Sequence, residues 1–217
     1  MTGKELLHAV LRNQPADRAA WVPFVGCHAA ALIGMGADDY LRSADAMVRG
    51  VSAAIERYQP DGIPVSFDLQ VEAEALGCEL VWARENPPAV SSHPLVSSSV
   101  SELRVPPPDA GRIPIMLEAA RTLTARHPDI SFYGLITGPF TLALHLLGPN
   151  IFMLMYDQPR AVHDVMAFGR DVAAAMAGYY LDAGCDVIAL VDPMTSQIGP
   201  EHFHEFVTPY VTPVFEA

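Results

Sequence analysis

Cysteine is scarce in this chain. Cys27, Cys78 and Cys185 lie far apart among 217 residues, odd in number and with no C-x-x-C spacing. That excludes a disulfide framework and a zinc ribbon, and makes a reducing, cytoplasmic setting the default. Positive charge is also short. Thirteen Lys and Arg stand against 25 Asp and Glu, for a formal net charge of −12. Such a chain is a poor partner for nucleic acid or for an anionic membrane surface, and small-molecule substrates stay open. No apolar run follows a basic N-terminus, so neither a signal peptide nor a membrane span is expected. What the chain does have is apolar mass: 51% of its residues are hydrophobic, ample for one buried core.

The pattern alternates. Thr2 and Glu5 have capping-box spacing ahead of Leu6, Leu7, Val10 and Leu11, which predicts a first helix ending before Pro15. Trp21–Val25 reads as a short strand, followed at once by Gly26-Cys27-His28. A thiol and an imidazole at a strand end are candidate substrate contacts; the alternative is a buried Cys with a capping or core His. A helix is expected over residues 38–58, then a strand over Ile63–Phe67 with Asp68 at its end, shortened by Pro64. Glu72–Gly77 reads as a short helix closed by glycine. Residues 86–114 are rich in proline and serine and predict an irregular excursion, with a small hairpin near Val90–Val96. Ile115–Arg126 is the next helix.

Ser131–Ile136 is the third predicted strand, and Pro139 suits the first turn of the helix after it. Free N–H groups at Thr137 or Gly138 would point into a site at the strand ends. That helix carries His145 and ends near Gly148-Pro149. A long helix starts at Pro159 and closes at Gly184, and Asp186–Val191 is the fourth strand, ending in Asp192-Pro193. The last helical pattern, Phe203 to Tyr210, is interrupted by Pro209 and Pro213, where a bend or a stop is expected.

Strands alternating with helices imply an α/β fold with a largely parallel sheet. In a TIM barrel, polar residues at strand C-termini mark the chemistry. Such a barrel has eight strands and typically about 250 residues. With about four strands, the chain would hold its N-terminal half to two-thirds as one incomplete domain over residues 1–217, with two open strand edges.

Four stretches carry a family resemblance. They are Asp68–Gly77 (D-L-Q-V-E-A-E-A-L-G), Gly138–Ala143 (G-P-F-T-L-A), Ala183-Gly184-Cys185-Asp186 with Asp192-Pro193, and Ser196 followed by Gly199-Pro200, Phe203, Glu205-Phe206 and Pro209-Tyr210. In this order and spacing they resemble the uroporphyrinogen decarboxylase superfamily, within it the corrinoid-linked methyltransferases. The resemblance implies a (β/α)8 TIM barrel. It implies methyl transfer between a corrinoid protein, carrying methylcobalamin, and a small-molecule methyl acceptor such as a thiol or a tetrahydrofolate-like compound. Zinc is implied in the full-length family member, held by a His-x-Cys pair and a later Cys that would fall after Ala217. No metal ligand is therefore assigned here. His202-x-His204 is no substitute, because residues two apart on a helix point to different sides. A homo-oligomer is left open.

The resemblance makes Asp68 the counterpart of the decarboxylases' catalytic aspartate and puts His145 at their active-site tyrosine. Their arginine-bearing "R-Q-A-G-R-Y" segment falls on Cys27–Leu32, and both arginines are missing. Asp68 and His145 are thus the catalytic candidates; Cys27, His28, Gly138, Pro139, Asp192 and Ser196 are the substrate-binding ones. Asp68 has no obvious local cation, and its alternative role is helix capping. His145 is otherwise a core histidine, and Asp192 otherwise a turn cap. The chain by itself is expected to be inactive. The rival readings are a decarboxylase acting on a tetrapyrrole or another carboxylate, and a non-catalytic corrinoid-binding relative.

Overall fold

The computed structural model describes residues 1–216. Helix α1 (Gly3–Leu11) starts at the expected capping box: the Glu5 N–H donates to the Thr2 hydroxyl at 3.2 Å, and the Thr2 N–H to the Glu5 carboxylate at 2.8 Å. Its Lys4 reaches Asp186 at 2.6 Å.

Trp21–Val25 is not a strand. Pro23 lacks an N–H, and the Trp21 N–H is taken by the Asp61 side chain at 2.8 Å. Trp21 and Phe24 are each 50% exposed, so the apolar run buries too little to hold a ladder. Cys27 and His28 therefore follow an extended loop and open a short helix, α2 (His28–Leu32). The helix expected over 38–58 is two, α3 (Ala37–Tyr40) and α4 (Ala44–Tyr58), divided where the Ser43 side chain caps α4. Strand β1 (Gly62–Pro64) is cut short at Pro64, as proline demands. Its continuation leads through Asp68 into α5 (Val71–Ala75). The small hairpin is β2 (Leu80–Val81) with β3 (Ala89–Val90), earlier in the chain than expected. Pro94–Val96 is a 3-10 turn, where proline again removes a ladder donor.

Helix α6 (Ile113–Arg126) leads to β4 (Ser131–Thr137). Two helices follow the strand, α7 (Pro139–Leu147) and α8 (Ile151–Asp157). Pro139–Asp157 is apolar and long enough to cross a membrane by composition, but it is broken at Gly148–Asn150 and mostly buried in the fold. Helix α9 (Pro159–Asp182) is the longest and closes at Gly184 (φ +95°), a conformation glycine adopts freely. Then come β5 (Val187–Val191), α10 (Pro200–Phe206) and α11 (Thr208–Glu216). The bend falls at Val207, while Pro213 is carried inside α11.

The parallel sheet has the order β1-β4-β5, with Ile63 beside Phe132 and Leu135 beside Ala189. Three described strands pair where four were expected. The core packs on β4 and is built from Phe132, Ile136, Met116, Leu123, Phe140 and Leu142, all fully buried. Strand β5 differs: every residue of it is only partly buried, and among the described residues it pairs with β4 alone. The C-termini of the three strands lead directly into Val65–Asp68, Gly138 and Asp192, which places those residues at one end of the sheet.

Candidate functional site at the strand ends

Asp68 lies four residues beyond β1. Its side chain is fully buried, with Oδ2 2.6 Å from Arg112 Nη1 and Oδ1 accepting the Gln70 N–H at 2.9 Å. No cation stands near Asp68 in the sequence, and the fold brings one in from 44 positions away. Arg112 stands at the start of α6, where the proline-rich excursion ends. Its Nε donates to Glu74, its Nη1 also to the Leu41 carbonyl at 3.2 Å, and its guanidinium lies 4.8 Å from the Trp82 ring. Its Nη2 is buried without a partner. Asp68 also makes the turn ahead of α5 by accepting the Gln70 N–H, but it does not cap the helix, whose N-cap is Gln70 with no side-chain cap.

Cys27 is half-buried, and its thiol is pushed up to about 11 by burial and by the charge of Asp68. It is a neutral thiol at physiological pH and not a ready nucleophile. His28 is exposed and hydrogen-bonds the Tyr58 hydroxyl at 2.7 Å. Both border a cavity of about 490 Å³, also lined by Met35, Arg84 and Glu85.

His145 lies in the last turn of α7 and is 9% exposed. Burial, then the neighbouring His93, lower its pKa to about 4, against a smaller opposing pull from Asp68. It is therefore a neutral imidazole at physiological pH. Its Nδ1 is buried with no partner, while its carbonyl accepts from His93 Nδ1 at 2.8 Å. A neutral imidazole of this kind can donate or accept one hydrogen bond toward a ligand.

Gly138 caps α7, and its N–H donates to the Val191 carbonyl at 2.9 Å. The free N–H groups expected here are already taken. Asp192 Oδ1 accepts from the N–H and the hydroxyl of Thr141 at 2.7 and 2.6 Å, and Oδ2 accepts the Phe140 N–H at 3.1 Å. The carboxylate at the end of β5 thus caps the helix after β4, where the helix dipole favours it. A Cβ on Gly138 would sit 2.4 Å from Asp192 Cβ, so glycine is what lets the two strand ends close. Burial raises the Asp192 pKa, and the three hydrogen bonds oppose that shift.

Two groups of residues result. Asp68, Cys27 and His145 lie close enough for the Asp68 charge to act on the other two. Gly138, Pro139 and Asp192 form the second group, held by the helix cap. Ser196 is exposed on the 3-10 turn Pro193–Gln197, and no side-chain hydrogen bond ties it to either group among the described residues. Arg112 and Glu72 were missed in the sequence. Arg112 follows prolines with no periodic pattern, whereas Glu72 stands inside the Asp68–Gly77 segment and was legible there as a carboxylate amid alanines. Among the described residues no cluster of three or more His, Cys, Asp or Glu is placed to hold a metal. His202 packs against Tyr156 and His204 against Phe203, on different sides of α10.

The family model for uroporphyrinogen decarboxylase (URO-D) matches residues 2–217. Methylcobamide:CoM methyltransferase MtbA of Methanosarcina acetivorans is 28% identical over all of this chain, and the protein of that name from Methanosarcina mazei 27%. The chain spans 66% of the length of each, just under two-thirds. Uroporphyrinogen decarboxylase of Mycobacterium tuberculosis is 28% identical over 75% of the chain and 47% of its own length. A solved methyltransferase structure from Methanosarcina mazei superposes with a TM-score of 0.90 at 24% identity, covering all of this chain and 67% of that one, and shows the same fold.

Proposed function

The chain belongs to the uroporphyrinogen decarboxylase family, and on that premise we propose that it is part of a corrinoid-linked methyltransferase. Its α/β fold is a partial barrel of that family's type. The reaction would move a methyl group between a corrinoid protein and a thiol or tetrahydrofolate-like acceptor. One observation carries this reading over decarboxylation. A porphyrinogen bears many carboxylates, which bidentate guanidinium groups hold best. Helix α2 supplies none, and the cavity beside it offers Arg84 balanced by Glu85. The methyltransferases also match the whole chain, against three-quarters of it for the decarboxylase.

In this reading His145 presents a neutral hydrogen-bonding imidazole, the Asp68–Arg112 pair fixes the end of β1, and Gly138-Pro139 and Asp192 form the opposite wall. The described residues do not fit a zinc site, so no step is routed through one. In the family, zinc activates the acceptor thiol; its ligands would lie in additional polypeptide. The three unpaired thiols suit a reducing, cytoplasmic setting.

The test is the coding sequence downstream of codon 217, followed by assay of the longest product with methylcobalamin and coenzyme M. A His-x-Cys pair, a later Cys and methyl transfer are expected, with none from the 217-residue chain alone. Decarboxylation without a cofactor, or corrinoid binding with neither activity, overturns the proposal.

A further inference from the structure

Thr137, the last residue of β4, makes three polar contacts. Its N–H donates to Glu72 Oε1 at 2.9 Å. Its hydroxyl oxygen lies 2.7 Å from Glu72 Oε2 and 3.0 Å from the Leu69 carbonyl oxygen. A hydroxyl has one proton to give. Were Glu72 a carboxylate, that proton would serve one oxygen and leave the other facing a second acceptor. With a proton on Glu72 Oε2 every partner is matched: Oε2–H donates to the Thr137 hydroxyl, and the hydroxyl donates to Leu69. Glu72 is 2% exposed and Thr137 1%, so water cannot repair a mismatch. No salt bridge reaches Glu72 among the described residues, since Arg112 is committed to Asp68 and Glu74.

We propose that Glu72 is held as the neutral carboxylic acid and, in that form, is a positioning residue that ties α5 to the Thr137–Gly138 end of β4. The wall built on that end, with the cap of α7 and the Asp192 contact, depends on it. The groups around it agree. Burial pushes the Glu72 carboxyl up; the bonds from Thr137 and from Glu72's own N–H oppose this, and the charge of Asp68 on the loop ahead of α5 adds to it. From α9 it is faced by Tyr180, a phenol driven up by burial and then by Glu72 itself. Arg112, at the N-cap of α6, is already paired with Asp68 and Glu74. The sign follows: a carboxyl raised in the fold gives stability that is full below the ordinary carboxylate range and lost as pH rises through the folded value.

Infrared spectra of the 217-residue chain with 13C-labelled glutamate test the assignment. At neutral pH the wild type should show the carbonyl stretch of a buried protonated carboxyl, shifted by the label and absent from Glu72→Gln. Glutamine copies the donor and acceptor pattern of the acid. Glu72→Gln should therefore melt close to the wild type at pH 5 and gain on it steadily toward pH 9. No protonated-carboxyl band in the wild type, or a melting difference that ignores pH, overturns the proposal. If Glu72→Gln does not fold, the labelled wild-type spectrum decides alone. Neither readout uses methyl transfer, so failure here leaves the functional reading standing, and the reverse.

Discussion

Replacing Arg112 by Met removes a cation from a place where no water can take over. The Asp68 side chain is fully buried and that of Arg112 is 6% exposed. Opposite unit charges 4 Å apart attract by about 4 kcal/mol at an effective dielectric near 20. The desolvation cost offsets much of that while the pair is intact. Removing one partner is different, because it leaves an uncompensated charge behind and costs about 3–5 kcal/mol. The Glu74 contact adds little, because the Glu74 side chain is 27% exposed and can relax into water. A chain of this size shifts by about 2–4 °C per kcal/mol, so Arg112→Met should lower the melting temperature by roughly 6–20 °C. The decisive assay is a double-mutant cycle by urea unfolding with Asp68→Asn. In the Asp68→Asn background the same replacement should cost less than half as much, since the buried charge is gone. A loss below about 1 kcal/mol, which is the range of an exposed pair, would refute the reasoning. So would an equal loss in both backgrounds.

His145 should titrate near pH 4 by imidazole NMR. Its folded value lies below the unfolded one, so the unfolded chain binds the proton first. Stability should therefore fall as pH drops from about 6.5 toward 4, and His145→Gln should flatten that limb. Asp192→Ala strips the acceptor from two backbone N–H groups and one hydroxyl. It should cost about 1–3 kcal/mol and speed amide exchange at Phe140 and Thr141 more than elsewhere in α7. Gly138→Ala places a methyl group 2.4 Å from Asp192 Cβ, and thermal melts should show a loss of about 1–3 kcal/mol. Since Gly138 has φ −68°, that loss is a clash and not backbone strain, and Asp192→Gly in the same chain should recover part of it.

Local chemistry was legible in the sequence and pairing was not. The Thr2 cap, the Pro139 start of α7 and the Gly184 stop before β5 are each set by neighbours within a few residues. Trp21–Val25 had the composition of a strand, but a strand exists only if another offers a ladder, and the Trp21 N–H had gone to Asp61. Two features of the α7 cap stood in the sequence separately: a helix start at Pro139, and a carboxylate at position 192. That they meet depends on β4 and β5 lying side by side. The Asp68–Arg112 pair was harder still, because Arg112 follows a proline-rich stretch whose path no periodicity reports. The catalytic candidates came from resemblance, and geometry gives them physical content: a charge locked by a cation, and an imidazole kept neutral.

The partly exposed β5 is bracketed by two acids, Asp186 and Asp192. Acids flanking an apolar strand usually act as gatekeepers, repelling an incoming strand that would add to the edge. Here both are spent inside the molecule. Asp186 is neutralised by Lys4 and also takes the Phe132 N–H, and Asp192 is turned back onto α7. Among the described residues the Val187–Val191 strand pairs with β4 alone, so its outer edge has no strand partner, while Ile188 and Leu190 pack against the core. The same contacts that lock the strand ends of the site leave this edge a ready template for a further parallel strand, and in its absence a sticky one.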